Sequence, residues 1–300
     1  MSETRYQNPP IPQGRQPNGE GLKFTTPLSL AEDIDNKAAI AAAEVQLPPT
    51  PLMKRIPEMK IIFDRLLRNV LNKSIDGFKE DYCCYIDTET TGLKPMENRV
   101  WQFACIICLG PEIVDERNWI IKITRDDFNN AFGGDAVPLD KRQELYKKMH
   151  LTWDRIVESG KPGKQVLDEF VNLINGRPMM PILGHNLAGF DVPFLTEEAR
   201  RCGMYDQVSK IFKRATLDTG AIIKGAQLHG SLQMLDRMSG QEFMKKVIGK
   251  MARGVYWRMD YIMEQFRLFE KEADISALHD ALEDVKALKR IIEFIVDYEV

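Results

Sequence analysis

The chain has 300 residues, of which 44% are hydrophobic and 28% are charged, and its formal net charge is −3. This composition is typical of a globular protein and is sufficient for a buried core. No apolar run approaches the roughly 18 residues of a membrane helix, and the N-terminal stretch MSETRYQNPPIPQG lacks the apolar core of a signal peptide. We therefore expect no membrane association and an intracellular location, in the cytoplasm or nucleus.

Residues 1–56 differ in composition from the rest of the chain, because they contain eight of the sixteen prolines. We expect most of this stretch to be a flexible tail. Ser29 and Glu32 have the spacing of a capping box and predict one helix within it. We assign residues 1–80 to an N-terminal extension and residues 81–300 to the main domain.

A second helix of the extension is predicted to begin at Pro57, since proline is tolerated in the first turn. Its apolar residues recur at helical spacing. Those on one side are Ile61, Ile62, Leu66, Val70 and Leu71. The helix either packs onto the main domain or binds a protein partner.

From residue 81 onward the pattern predicts strands and helices. The runs YCCYIDTE, VWQFACIICL and WIIKITR are rich in Ile, Val, Trp and Tyr, and predict three consecutive strands. PILGHN predicts a short strand, and helices are predicted for VLDEFVNLINGR, FDVPFLTEEARRCG and ISALHDALEDVKALKRIIEFIVDY. This order predicts an α/β domain with a central sheet.

The chain contains five cysteines, and an odd number favours a reducing compartment over a disulfide framework. Cys105 and Cys108 form a CxxC pattern, which also occurs in zinc and redox sites. In a strand these two positions point to opposite faces, and no second Cys/His pair has the spacing of a zinc finger. We therefore interpret both residues as core cysteines.

Basic residues are concentrated between Val208 and Arg258, where ten Lys/Arg face three acids and the local charge is +7. Such a surface can neutralise phosphates, although solvated helix faces are an equally simple explanation. The stretch from Lys210 to Arg258 ends with Tyr256 and Trp257, and aromatic residues beside basic ones suit single-stranded nucleic acid. The alternative is that these aromatics anchor a helix.

Asp87 and Glu89 lie two positions apart in the predicted strand YIDTETTGL and therefore share a face. Two such carboxylates repel each other unless a cation lies between them, and hard divalent cations prefer oxygen ligands. Asp191 and Asp284 are further acids that can join them, and His279 lies five residues before Asp284. Carboxylates from distant segments that meet at one point form a two-metal site.

Three of these acids and the histidine also have purely structural interpretations. The pair in the strand can be a solvated pair on a sheet edge, and Asp191 can cap a helix that starts at Pro193. His279 can be a surface residue in the first turn of the last helix. Asp284, however, has no cationic partner three or four residues away on its helix.

The segments IDTETTGL, HNLAGFDVPFL and HDALEDV resemble the three successive motifs of the DEDDh family of 3′→5′ exonucleases, the DnaQ-like branch of the ribonuclease-H-like fold. They occur in the family's order between residues 85 and 290, and TLDTGAII resembles an element that often follows the second motif. Three residues separate Asn186 from Phe190, where many members have two. This longer form resembles the mammalian-type DNA-degrading members. The resemblance implies a central mixed β-sheet flanked by helices.

The resemblance also implies a metal-dependent exonuclease that uses two divalent cations, Mg²⁺ or Mn²⁺, and releases nucleoside 5′-monophosphates. Asp87 would bridge both ions, and Glu89 and Asp284 would complete the shell of the first. Asp191 would hold the second ion, partly through water. His279 would be the general base that deprotonates the attacking water.

Four further residues are expected to contact or position the substrate, which would be a single strand or a 3′ overhang. Thr90, Gly92 and Leu93 would line the terminal nucleotide, with Leu93 wedged against the last base. Asn186 is assigned to the same surface and, with His185, to shaping the loop that aims Asp191. The strand would be DNA or RNA, which proteins tell apart by contacts to the 2′-OH. The alternative function is a catalytically silent nucleic-acid-binding or complex-scaffolding module on the same fold. Separately, the N-terminal extension can recruit the protein to a larger complex by binding a protein partner.

Overall fold

The computed structural model describes residues 50–177, 180–213, 216–250, 252–269 and 279–298. The helix predicted near Ser29 lies outside these residues. Within them, no helix combines the length and the apolar character that crossing a membrane would need. All of the described residues belong to one structural unit.

Six strands form one sheet: β1 (Tyr82–Thr90), β2 (Val100–Leu109), β3 (Glu112–Ile121), β4 (Gly160–Lys161), β5 (Ile182–Gly184) and β6 (Thr216–Asp218). Their order is β4-β3-β2-β1-β5-β6. β1 and β3 both run antiparallel to β2, whereas β4, β5 and β6 each join a parallel neighbour. The sheet is thus mixed, as predicted, and β1 has a neighbour on each side.

The described helices before β5 are α1 (Ile56–Leu71), α2 (Ile75–Glu80), α3 (Arg125–Asn129), α4 (Leu139–Lys148), α5 (Trp153–Ser159) and α6 (Gly163–Asn175). Those after it are α7 (Asp191–Arg201), α8 (Tyr205–Phe212), α9 (Thr219–Gln227), α10 (Ser231–Leu235), α11 (Gly240–Gly249), α12 (Met259–Gln265) and α13 (Ala281–Asp297). Two short 3₁₀ segments are Met53–Arg55 and Ala131–Ala136.

Apolar clusters cover both faces of the sheet, because alternate residues of β1 and β2 point to opposite sides. One cluster joins Tyr85 and Cys108 to helices α1, α9, α11 and α13. The other joins Ile86 and Cys105 to helices α6, α7 and α8. Cys105 and Cys108 are both fully buried. The interpretation of these two cysteines as core residues on opposite faces is confirmed.

Helix α1 packs into the first of these clusters. Ile62 and Leu66 are fully buried, and so are Phe63 and Leu67. Ile61, which the periodicity placed on the apolar side, is instead 44% exposed, so the buried stripe is rotated from the predicted one. Because the core covers the apolar side of α1, that side is not available to a protein partner. The division of the chain at residue 80 stays a prediction.

The first residues of helices α7 and α13 differ from those predicted, which changes the interpretation of Asp191 and His279. Helix α7 begins at Asp191, and its N-cap residue, Phe190, makes no side-chain capping bond. The capping role of Asp191 for a helix that starts at Pro193 is therefore wrong. Helix α13 begins at Ala281, so His279 precedes the helix and does not lie in its first turn. The backbone of His279 has a φ of 80°, which a helix does not allow.

Candidate active site

Asp87 and Glu89 lie at the end of β1, a strand in the interior of the sheet. In the pairing with β2, Asp87 lies opposite Ala104 and Glu89 lies opposite Gln102. Glu89 is 5% exposed and Asp87 is partly buried. The interpretation of the two as a solvated edge-strand pair is therefore wrong.

Asp191 is brought to β1 by the loop that follows β5, the parallel neighbour of β1. The Thr88 hydroxyl donates a hydrogen bond from Oγ1 to Asp191 Oδ1 at 2.7 Å, and Asp191 is 1% exposed. Burial raises the pKa of Asp191 to about 7, although the Thr88 bond opposes the shift. Thr88 was not predicted as a site residue, because its contact is with a residue 103 positions away.

Asp218 holds the loop that leads from β5 to Asp191. Its Oδ1 accepts the backbone N–H of Asn186 at 3.1 Å, and its Oδ2 accepts that of Ala188 at 2.9 Å. The same carboxylate accepts the N–H of Ala221 in the first turn of α9. The sequence TLDTGAII was noted as a family element, but this role for its aspartate emerges only from the fold.

His185 and Asn186 belong to the same loop. The Trp257 carbonyl lies 2.5 Å from His185 Nε2 and can only accept, so Nε2 carries the proton and Nδ1 faces the Thr219 hydroxyl at 3.0 Å. Burial lowers the pKa of His185 to about 4. Asn186 has a φ of 63°, a conformation that asparagine tolerates better than most residues. These contacts support a loop-shaping role for both residues.

Asp284 and His279 meet at the start of α13. The backbone N–H of His279 donates to both carboxylate oxygens of Asp284, at 3.4 and 3.3 Å. Asp284 lies between the buried residues Ala281 and Val285 on the helix. Its pKa is raised to about 7 by burial, while the His279 bond opposes the shift. Burial, followed by the charge of Lys148, lowers the pKa of the His279 ring.

Four carboxylates therefore share one region. Burial, then the charges of Asp191, Asp284 and Glu89, hold the pKa of Asp87 well above its usual range. Burial and the charge of Asp284 raise that of Glu89 in the same way. Among the described residues, no ion pair joins any of the four to a Lys or Arg side chain. This excess of negative charge is the electrostatic condition that a divalent cation relieves.

The residues present also fit a cation by position. One ligand atom each of Glu89, His279 and Asp284 lie within 4.8 Å of one another. Asp87 and Asp191 lie outside this group of three but contribute their charge to the same region. Carboxylate oxygens suit both Mg²⁺ and Mn²⁺.

The loop after β1 follows closely on Glu89 and carries an exposed apolar side chain. Thr90 Oγ1 donates to the Gly92 carbonyl at 2.6 Å, and a Cβ on Gly92 would lie 2.6 Å from Asn98 Oδ1. A larger residue at Gly92 would thus displace the Asn98 side chain. Leu93, the next residue, is 83% exposed. The side chain of Leu93 therefore lies in solvent.

The basic stretch divides into surface and interior residues. Lys224 is 4% exposed, donates to the Ile248 carbonyl at 2.7 Å and lies over the Trp257 ring. Trp257 also packs against His185. Tyr256 is 58% exposed. Lys224 and Trp257 therefore serve packing, as the helix-anchor alternative expected, and Tyr256 remains open to solvent.

Comparison with known proteins identifies relatives of this domain. The family model described as "RNase_T: Exonuclease" matches residues 84–292. No curated protein sequence matches the chain.

Solved structures of E. coli exonuclease I have a similar fold. Its zinc-bound complex with single-stranded DNA is 17% identical, with a TM-score of 0.50 over 72% of this chain and 40% of that one. Its complex with a dT13 oligonucleotide is 16% identical, with a TM-score of 0.51 over 72% of this chain and 41% of that one. The chain thus matches less than half of the length of these proteins.

Proposed function

Since the chain belongs to the RNase_T family of exonucleases, we propose that it is a metal-dependent 3′→5′ exonuclease that releases nucleoside 5′-monophosphates. One observation carries the proposal: Glu89, His279 and Asp284, from β1 and the start of α13, bring their ligand atoms within 4.8 Å of one another. Asp87 and Asp191 add negative charge beside them. Two of the three segments that meet here, IDTETTGL and HDALEDV, lie about 190 residues apart in the sequence.

We assign the metal ligands to Asp87, Glu89, Asp191 and Asp284, which would hold two divalent cations, Mg²⁺ or Mn²⁺. When bound, these ions supply charge stabilisation at the phosphate and acidify the attacking water. Thr88 supports the set, since its hydroxyl fixes one oxygen of Asp191. Asp218 supports it through the loop that leads to Asp191.

We assign His279 as the general base. Its lowered pKa favours a neutral ring at neutral pH, so a ring nitrogen is free to accept a proton from water. Its backbone N–H is tied to Asp284, which fixes the ring close to the carboxylates. The same ring nitrogen is near enough to act as a metal ligand. His279→Ala distinguishes the two roles: a base mutant loses rate but retains metal affinity, whereas a ligand mutant loses both.

The substrate that this geometry supports is a single strand or a 3′ overhang. Relatives of similar fold have been solved with single-stranded DNA and with an oligonucleotide. Thr90, Gly92, Leu93 and Asn186 are proposed to line the terminal nucleotide. The 83% exposure of Leu93 supports a stacking contact with the last base. All five cysteines are free thiols, which supports a reducing, intracellular compartment.

The direct test uses oligonucleotides labelled at one end. With Mg²⁺ or Mn²⁺, a 3′ label should appear at once as a mononucleotide, and a 5′ label should give a ladder of shortened strands. EDTA should stop both reactions, and Asp87→Asn should be inactive. A 5′ label released first would contradict the proposed polarity. Binding without degradation would favour the catalytically silent alternative.

A parallel digestion of matched DNA and RNA single strands determines the sugar preference. A pull-down that compares the full chain with residues 49–300 tests whether the N-terminal extension recruits a protein partner. Loss of a bound protein on removal of residues 1–48 would support that proposal, and unchanged capture would refute binding through residues 1–48.

A further inference from the structure

Asp280 lies between the candidate base His279 and the first residue of α13, and its carboxylate makes three hydrogen bonds. Oδ1 accepts the backbone N–H of Leu282 at 3.2 Å, which caps the helix. Oδ2 accepts Gln102 Nε2 at 2.9 Å and Arg155 Nη2 at 3.0 Å. The residue next to the candidate base is thus held by β2 and by α5.

Gln102 ties this contact to the first pair of carboxylates. It lies directly opposite Glu89 in the β1–β2 pairing and is fully buried. Its amide nitrogen is shared between Asp280 and Asn118 Oδ1, both at 2.9 Å. Asp280 therefore has a fixed position relative to the strand that carries Glu89.

Arg155 lies in a segment that is outside all of the sequence motifs named above. Residues 125–159, between β3 and β4, contain α3, α4 and α5, and reach the site at two points. The N–H of Phe132 donates to the Thr91 carbonyl at 2.7 Å, in the loop after β1. Arg155 makes the second contact, with Asp280. The segment thus touches both the loop after β1 and the start of α13.

The Arg155 side chain is itself immobilised. Nη1 donates to the His150 carbonyl at 3.3 Å, and the guanidinium lies 5.2 Å from the centre of the Trp101 ring. The Arg155 and Asp280 side chains are 27% and 20% exposed. An ion pair that is mostly removed from water and held by further hydrogen bonds constrains geometry more than a surface pair does.

We propose that Arg155 is a positioning residue: through Asp280 it fixes the start of α13, and so sets the place of the His279 ring and the Asp284 carboxylate. This inference rests on the proposed exonuclease function. Mutation of a residue that orients a metal ligand or a catalytic side chain through a hydrogen bond typically lowers activity or metal affinity 10- to 100-fold. Arg155 contacts neither metal nor substrate in this account, so its loss should lower kcat and leave KM for the oligonucleotide little changed.

The test measures kcat and KM for Arg155→Ala, Arg155→Lys, Asp280→Asn and the double variant Arg155→Ala/Asp280→Asn. We expect kcat to fall about 10- to 100-fold in Arg155→Ala and Asp280→Asn. The double variant should be no slower than the slower of the two single variants, because each substitution alone already breaks the Arg155–Asp280 contact. Added guanidinium ion should restore part of the activity of Arg155→Ala but not that of Asp280→Asn. Arg155→Lys should retain intermediate activity.

The matched control is Arg117→Ala, which removes an arginine paired with Asp115 within β3 and should keep wild-type kcat. Additive losses in the double variant, with no effect of guanidinium, would show general destabilisation and overturn the inference. Wild-type kcat in Arg155→Ala and Asp280→Asn would overturn it as well, while the proposed function stands. An inactive wild-type protein would overturn the proposed function, and the inference with it.

Discussion

Asp87 is the residue at which burial and like charges act together. Burial and four neighbouring carboxylates disfavour its charged form, so the metal-free protein contains electrostatic strain that a cation removes. Function and stability therefore make opposite demands on this side chain. The carboxylate that the reaction needs is one that the metal-free fold would be more stable without.

Asp87→Asn should abolish nucleotide release and raise the melting temperature of the metal-free protein at pH 8. The amide removes a buried charge without changing shape, and each kcal/mol gained corresponds to roughly 2–4 °C in a domain of this size. Saturating Mg²⁺ should stabilise the wild type more than the variant. Thermal unfolding with EDTA and with Mg²⁺ measures both effects. Asp135→Asn, at a fully exposed carboxylate, is the control. A lower melting temperature for Asp87→Asn in EDTA would contradict this account.

Buried His185, in the loop before α7, makes the stability of the fold depend on pH. Burial lowers its pKa to about 4, against about 6.5 in an unfolded chain. The unfolded state therefore binds the proton more readily between these values, and stability falls as pH decreases through this window. His185 contributes its full stabilisation only above about pH 6.5.

We expect wild type to lose up to about 3 kcal/mol between pH 7 and pH 4 relative to His185→Gln, which has no titrating ring. Urea unfolding of both proteins at several pH values gives the difference in free energy of unfolding. His229→Gln, at an exposed histidine, should follow the wild-type profile. Parallel profiles for wild type and His185→Gln would show that the ring is not buried in its neutral form.

At the scale of elements, the loop after β1 is held by hydrogen bonds from Arg201 and from the Asn98 side chain, which lies against Gly92. Arg201 donates to the carbonyls of Pro95, Met96 and Asn98. The Asn98 side chain accepts the Lys94 N–H at 3.0 Å. An exposed leucine on a braced loop can meet a nucleotide without first losing conformational freedom.

Gly92→Ala should lower kcat/KM by about 10- to 100-fold, because a displacement near 1 Å in a positioning element has effects of that size. The new Cβ would lie 2.6 Å from Asn98 Oδ1, so the Asn98 side chain must move, and the loop loses the hydrogen bond to the Lys94 N–H that helps to hold Leu93 in place. Steady-state kinetics with a labelled oligonucleotide test this. Gly249→Ala is the matched control, since a Cβ there meets nothing within 4 Å. Equal kcat/KM for Gly92→Ala and wild type would mean that the loop has room to adapt.

The strands show which local signals determine structure and which do not. β1 and β2 were predicted within a residue or two, because both are nearly continuous apolar runs buried on two faces. β3 was predicted from Trp119 but begins at Glu112. Its first seven residues are mostly exposed and polar. These residues pair with β2 because the chain reverses in a tight turn at Gly110, which has a φ of 58°. The pairing requires no alternation of apolar residues, so the sequence did not indicate it.

The same distinction holds at the site. The residue types and spacing of Asp87, Glu89 and Asp284 could be read from the sequence, since strand and helix periods fix which side chains share a face. Thr88, Asp218 and Arg155 could not, because each acts through one contact with a distant residue. The backbone conformation of His279 could not be predicted from helical periodicity either, because α13 starts after its N-cap residue, Asp280, and His279 lies before that cap.

At the scale of the whole described molecule, helix α1 contributes its buried residues to the core on one face of the sheet. It packs against α9, α11 and α13 as well as the sheet, and α13 carries Asp284. Gly225 of α9 lies so close that a Cβ there would be 3.3 Å from Ile62 Cδ1. The stability of the candidate active site and the packing of α1 are therefore linked through one shared core.

Two adjacent isoleucines test this link with matched chemistry. Ile62 is fully buried and Ile61 is 44% exposed, so the same substitution has two different environments on one helix. Ile62→Ala should reduce the free energy of unfolding by about 2–5 kcal/mol, through lost burial and the cavity that remains. Ile61→Ala should cost less than about 1 kcal/mol. Both variants should retain wild-type kcat at temperatures where they are folded, because neither side chain reaches the carboxylates. If the two substitutions changed the free energy of unfolding in urea by equal amounts, α1 would not be packed on the core. The domain would then fold without it.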